Sequence, residues 1–448
     1  MRFTILSCGS ALFVSAFAGL CLSTGVMGAE LSLKEAILES LANSPVLRQQ
    51  AFKSEEARYR SSEAFAGHLP TVALQGNYLN AKTSMKSDMK LPGASSAVSI
   101  DQVVPTSMVT LNASWPLFDG LATTHRVSAS EQMAESSAKE LEWARFQLER
   151  QVTLQYFRTI ASRQLYDVTM QNRKTLDDHL KDVRLFRSAG LATTYDVLRV
   201  ETQASEAQSE VLNAQDNVAQ AQDALAELMG KDQEPRTASG LLPVIQKSKI
   251  PELTAPPKST RKDLEALENT LSGMDEQLAA ARGHWAPKLS LVGQYSYYNN
   301  RNDKPMDMAA YRNFYQAGLG LTWVLFDGLA STERVHEVVS QRAQVEQTIA
   351  QRRLKARHED EFWRRKLDYF LALYQTRVSD IAKAQESVRL AQAGQKAGTR
   401  TNSDLLDAES ELFRAKAGAV NAQMGTIEAM VNLEVARGEA LINLASMN

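Results

Sequence analysis

Apolar positions along this chain change their period in a fixed order, and the order runs through twice. In TVALQGNYL (71–79), Val72, Leu74, Gly76 and Tyr78 fall on one side, with Thr71, Ala73, Gln75 and Asn77 opposite. MVTLNASWPL sets Val109, Leu111, Ala113 and Trp115 against Thr110, Asn112 and Ser114. KLSLVGQYSYY places Leu289, Leu291, Tyr295 and Tyr297 opposite Ser290, Gln294 and Ser296. YQAGLGLTWVL places Tyr315, Ala317, Leu319, Leu321 and Trp323 opposite Gln316, Gly318, Gly320 and Thr322. A period of two, with one apolar and one small polar face, predicts four β-strands.

Helical patterns surround them. Leading helices are expected at about 33–66 and 261–282, and long helical segments with hardly a breaker at about 120–187 and 328–396. At ~1.5 Å per residue each long segment makes a rod of about 100 Å. A returning helix follows each rod. In the first, Ala204, Ala207, Val211, Ala214, Val218, Ala221, Leu225 and Leu228 hold the seam positions of four heptads. In the second, Leu412, Ala415, Ala419, Ala422, Thr426, Ala429, Leu433 and Ala436 keep the same register. An alanine-rich seam of period seven predicts closely packed, left-handed coiled coils.

The duplication is written in the residues. WPLFDGLATTHRV (115–127) and WVLFDGLASTERV (323–335) lie 208 residues apart, as do Gly190 and Gly398 in SAGLATTYDVL and KAGTRTNSDLL. GHLP and GHWAP precede the strands at Pro70 and Pro287, an offset of 217, so the first half has the longer strand loop. The junction residues are Trp115, Phe118, Asp119 and Gly120, repeated as Trp323, Phe326, Asp327 and Gly328. Asp119 and Asp327 are expected to serve as N-caps where strand becomes helix. Gly190 and Gly398 are expected to turn each rod into its returning helix.

The organisation is then a leader at 1–28, one repeat at 29–230, a Pro-rich connector at 231–260 and a second repeat at 261–448. The first repeat holds a strand pair at about 70–118 and a hairpin at about 120–229; the second holds them at about 287–326 and 328–445. Arg2 followed by ALFVSAFAGLCL reads as a secretory signal. Both cysteines, Cys8 and Cys21, fall inside it, so the exported chain holds no thiol. The net charge of -2 and the lack of a basic stripe with interleaved aromatics argue against nucleic-acid binding.

Half-buried strands of a soluble sandwich would show the same alternation. Tyr and Trp gathered near strand ends, with small polar residues opposite, point instead to membrane strands around a wet lumen. Four strands cannot close a barrel, and lipid tolerates no open edge. Closure must come from other copies: two give eight strands, and three give twelve with a lumen wide enough for water.

The paired W-x-L-F-D-G segments, the turn sequence AGTRTNSDLLDAES (397–410) and the duplicated strand–helix order resemble the TolC family of outer-membrane channel proteins. The resemblance implies an α+β membrane protein: a homotrimeric twelve-stranded β-barrel, four strands per chain, continuous with a long α-helical coiled-coil tunnel. It implies an exit duct in outer-membrane lipid, served by a periplasmic adaptor and an inner-membrane transporter in efflux or type I secretion. It places an entrance ring of acids at Asp404 and Asp407. It also implies a closing network in which Arg400 bonds to Asp196 of a neighbouring protomer, with a third partner, usually Tyr in the family, at Gln395.

Read without the resemblance, Asp404 and Asp407 are two acids on one helix face near a favourable helix N-terminus. Asp196 and Arg400 are then plain surface charges. The run His358–Glu361 and the loop methionines Met85, Met89, Met306 and Met308 contain metal-binding residue types but read as a solvated face and as loops. His68 and His284 read as interfacial anchors. No phosphate loop, nucleophile elbow, cofactor motif or catalytic constellation is present in the sequence. The rival class is a periplasmic adaptor, which would show one hairpin and no duplicated Trp-flanked strands.

Overall fold

The computed structural model describes residues 30–79, 84–89, 98–103, 107–234, 236–245, 261–299 and 307–438. The expected leader, the later part of the connector and residues 439–448 lie outside them. Elements run β1 (Glu30–Leu31), α1 (Leu33–Asn43), α2 (Pro45–Phe65), β2 (Thr71–Tyr78), β3 (Ser84–Met89), β4 (Val98–Val103) and β5 (Ser107–Phe118). Then come α3 (Ala122–Ser188), α4 (Thr194–Leu228), β6 (Thr237–Ala238), α5 (Lys262–Arg282), β7 (Lys288–Asn299), β8 (Arg312–Thr322), α6 (Ala330–Lys396) and α7 (Asn402–Arg437).

The leading helix of the first half is broken in two at Ser44, where a single helix to about residue 66 was expected. A residue before proline is driven out of the α region, and Ser44 takes φ −56°, ψ 119°. Its hydroxyl then caps α2 by accepting from the Leu47 amide (3.4 Å), and Pro45 starts the new helix without needing a partner for an N–H.

The four alternating segments form one antiparallel sheet in the order β2-β5-β7-β8. Among the described residues β3 and β4 pair only with each other, inside what the sequence reads as a loop. Pro116 has no N–H for the ladder, and the β5–β7 register slips between Pro116 and Phe118. Most positions keep their face across the four strands, with exceptions on β8, where Phe314 pairs with Ser296 on the polar face and Asn313 with Tyr297 on the apolar one. Leu74, Leu111, Tyr295 and Tyr315 stand in one row; Gln75, Thr110 and Ser296 stand in a row of the other face. On the two central strands the apolar row is the exposed one: Leu111 is 43% and Tyr295 45% accessible, against 4% for Thr110 and 0% for Ser296. Thr110 and Ser296 share a 3.1 Å hydrogen bond, and Gln316 donates to Gln294 at 2.7 Å. The sheet is therefore inverted relative to a water-soluble one.

α3 and α6 each run 67 residues, and each turns back as α4 or α7. α5 lies against both α3 and α6, α2 lies along α3, and α7 also packs on α3, which joins the two hairpins. Every seam position named from the sequence is buried or half-buried. The densest core sits midway along the rods, around Val152, Tyr156, Ile160, Leu225, Ile427, Met430 and Leu433. Part of the connector is docked there: β6 pairs in parallel with β1, and Leu242 and Ile245 are buried. Tyr156 donates to the Leu31 and Ser239 carbonyls (2.9 and 3.0 Å). Arg236 clasps Glu234 (2.8 Å) and Glu39 (2.7 Å), and its hydrogen bonds pull Glu234 down to about 2.

Candidate functional site

The strand–helix junction is built the same way in both repeats. Asp119 accepts from the amide and hydroxyl of Thr123 (2.8 and 2.5 Å), and Asp327 accepts from the Ser331 amide (2.9 Å) and hydroxyl. These carboxylates do satisfy first-turn amides, but neither aspartate occupies the N-cap position expected of it. The N-caps are Leu121 and Leu329, both left-handed at φ 64° and 71°. Gly120 and Gly328 before them are also left-handed, so two successive αL residues fold the strand over the helix end, and the aspartate reaches back from outside the turn. Gly120 is additionally forced by contact: a Cβ there would lie 2.4 Å from the Gly283 carbonyl oxygen.

The two junction tryptophans have a role that periodicity did not disclose. Trp115 donates its indole N–H to the His68 carbonyl (2.9 Å), and Trp323 donates to the Trp285 carbonyl (3.1 Å). Each acceptor lies two residues before the proline that precedes its strand, so the bond straps the 3-10 turn entering the sheet to the chain leaving it. Both indoles and both phenylalanines, Phe118 and Phe326, remain exposed. The repeat of Gly-His shortly before a Pro, GHLP and GHWAP, with each Trp was the visible signal. His284 lies 3.7 Å from Asp327 and His68 packs edge-on to Phe65, so both histidines sit at the junction.

At the far end, Gly190 and Gly398 adopt φ 75°. Amide Leu191 bonds back to carbonyl Phe186, and Thr399 to Gly394, each at 2.8 Å, and the Arg400 amide adds a bond to Gly394 at 3.2 Å. Three residues beyond each glycine a threonine caps the next helix in a reciprocal box. Asp196 accepts from the Thr193 amide and hydroxyl (2.9 and 2.6 Å), and Asp404 from those of Thr401 (2.8 and 2.9 Å). Hydrogen bonds from Thr193 hold Asp196 below the usual carboxylate range; those from Thr401, with the Arg400 charge, do the same for Asp404. Asp407 is exposed one turn further on.

Arg400 is exposed, with its stem laid across Gly394, where an added Cβ would meet Arg400 Cγ at 2.5 Å. Gln395 reaches Asn402 Oδ1 at 3.5 Å. Among the described residues, no ion pair joins Asp196 to Arg400 within one chain. The nearer cation to Asp196 is Arg199, which donates to the Ser403 hydroxyl and so ties α4 to α7. Sequence reasoning missed Arg199, Ser403 and Gly394; a lone glycine late in a helix-forming run was the available hint. Among the described residues no group of three or more His, Cys, Asp or Glu is placed to hold a metal ion. In the run at 358–361, Glu359 pairs with Arg261 (2.9 Å), and Asp360 with Arg364 and Arg437 (2.8 and 2.6 Å). No helix among the described residues is long and apolar enough to cross a membrane.

Comparisons with known proteins agree with this arrangement. No curated protein matches the sequence. Among solved structures, CusC superposes with a TM-score of 0.76 at 16% identity, covering 92% of this chain and 93% of that one. The outer-membrane channel OprN gives 0.75 at 19% identity, covering 91% and 90%. The outer membrane protein VceC of Vibrio cholerae gives 0.74 at 17%, covering 91% and 96%. These likenesses establish a shared fold. The sequence itself matches the outer membrane efflux protein family over residues 36–231 and 258–439, both repeats, and the chain therefore belongs to that family of channels rather than to any class of enzyme.

Proposed function

We propose that the protein is the exit duct of a tripartite export machine, assembled as a homotrimer in outer-membrane lipid and receiving cargo through a periplasmic adaptor from an inner-membrane transporter. The observation that carries this reading is the inverted sheet. Its central strands expose an apolar face and bury polar residues on the other, and among the described residues β2 and β8 end it with edges that have no partner strand in the sheet. In lipid such edges must be satisfied, and a second and third copy do so edge to edge. The hairpins then continue the barrel as a tunnel. CusC is described in terms of transmembrane channel formation and OprN as an outer-membrane channel, which supports a pore for this fold.

At the tunnel tip, Asp404 and Asp407 from three copies supply six carboxylates around the entrance, a ring that favours cations. Arg400 of one protomer and Asp196 of the next form the closing link, with Gln395 behind Arg400 in place of a tyrosine. Both charges are exposed enough to be screened, which suits a link that must open. Light scattering in mild detergent is expected to give a trimer mass; a stable monomer would remove the duct reading. In planar bilayers Arg400→Ala is expected to raise single-channel conductance, and an unchanged conductance would remove the gate role.

A further inference from the structure

His179 lies on α3 where it meets α7, at 4% exposure, between buried Leu176 and Val183 on its own helix. Its Nδ1 stands 2.9 Å from Oε2 of Glu409, itself 5% exposed, and its Nε2 stands 2.7 Å from Oδ1 of Asn402. A carboxylate oxygen and an amide oxygen only accept. With Asn402 Oδ1 turned to the ring, both ring nitrogens face acceptors, an arrangement that the imidazolium satisfies in full. The partners lie in the first turns of α7, which also carry Asp404 and Asp407, and Gln395 donates to the same Asn402 Oδ1 at 3.5 Å.

We propose that His179, Glu409 and Asn402 form a proton-dependent clasp that positions the tip of the second hairpin against the first, so that loss of one proton from His179 loosens the entrance. The inference rests on the gate reading above, since it assigns the same tip a control. The clasp is not a general need of the packing. The residue 208 positions after His179 is Ser387, and the one 208 before Glu409, Glu201, is bound to Arg184 at 3.1 Å. The linkage is thus written once per chain, between hairpins.

The sign follows from the surroundings. Burial pulls the His179 pKa down, but the hydrogen bond and charge of Glu409, with the Asn402 bond and the Asp182 charge, outweigh it, and the net shift is upward. A raised histidine pKa means that the clasp is complete below the ordinary value of 6.5 and is lost as pH rises through the folded value. Acid closes it and alkali releases it.

The test is single-channel conductance of the purified trimer, with unfolding temperature, recorded from about pH 5.5 to 9. The wild type is expected to show a one-proton rise in conductance, and a fall in unfolding temperature, above the ordinary histidine range. His179→Gln should abolish both steps, and Glu409→Gln should move them to lower pH by removing the charge that holds the proton. A wild-type profile without a step, or a step that survives His179→Gln, overturns the clasp. Lower stability in both variants with the wild-type pH profile retained shows packing alone and also overturns it. If Arg400→Ala leaves conductance unchanged while the stability step still vanishes in His179→Gln, the gate reading fails and the clasp stands.

Discussion

Two glycines with the same left-handed backbone, Gly120 and Gly190, carry different loads. At Gly190 nothing lies within 4 Å of an added Cβ, so only the backbone preference is at stake, and Gly190→Ala is expected to cost about 1–2 kcal/mol. At Gly120 the same Cβ would also strike the Gly283 carbonyl at 2.4 Å and Ala286 Cβ at 2.5 Å, and backbone does not yield as a side chain does. Gly120→Ala should cost about 3 kcal/mol or more, from strain and overpacking together. Unfolding of the two variants in detergent checks this; equal losses would mean the junction adapts. Both glycines were legible as turns from Asp-Gly and Ala-Gly, but a sequence holds no record of what stands across the gap. The same is true of Trp115, whose aromatic character was readable and whose bond to the His68 carbonyl was not.

The long helices were legible because their signal is repeated many times. A seam of eight small or aliphatic residues at heptad spacing leaves one register for α4, and the same register recurs in α7. Closeness is the point of the alanines. Ala422 is 1% exposed, so Ala422→Leu forces extra methylenes into a filled seam and should destabilise by about 1–3 kcal/mol. Thermal unfolding followed by the helical circular-dichroism signal measures it, and a wild-type temperature would show that the seam holds spare volume. Element boundaries were less legible where one residue decides them: Ser44 and Pro45 split the leading helix. The connector's docking depends on the pairing of Thr237 and Ala238 with Glu30 and Leu31, residues far away in the chain.

For the whole molecule, the inverted sheet sets where the chain can reside. Leu319 is 66% exposed on the apolar face, whereas Gln316 faces the polar side. Leu319→Lys should cost about 2–4 kcal/mol if that face meets the bilayer midplane, and less nearer its edges. Gln316→Lys should be tolerated. The fraction of each variant recovered in outer-membrane extracts separates them; equal recovery would show that the exposed face is not against lipid. The hairpins fold by their own seams, so helical content is expected to be unaffected in both.

By itself the sequence determined the elements, their duplication and the faces they present, because period two, period seven and the 208-residue offset are local or self-referring patterns. It also marked the tips, where Gly190 and Gly398 precede Thr193–Asp196 and Thr401–Asp404 at the same spacing. Only the tertiary structure decided which chemically ordinary residues meet. His179 and Glu409 are 230 positions apart, as Trp115 and His68 are 47 apart, and neither pair shares a pattern. Long-range partners are selected by how whole helices and strands pack, and that packing is set by many weak contacts at once, so no single stretch of the chain contains them.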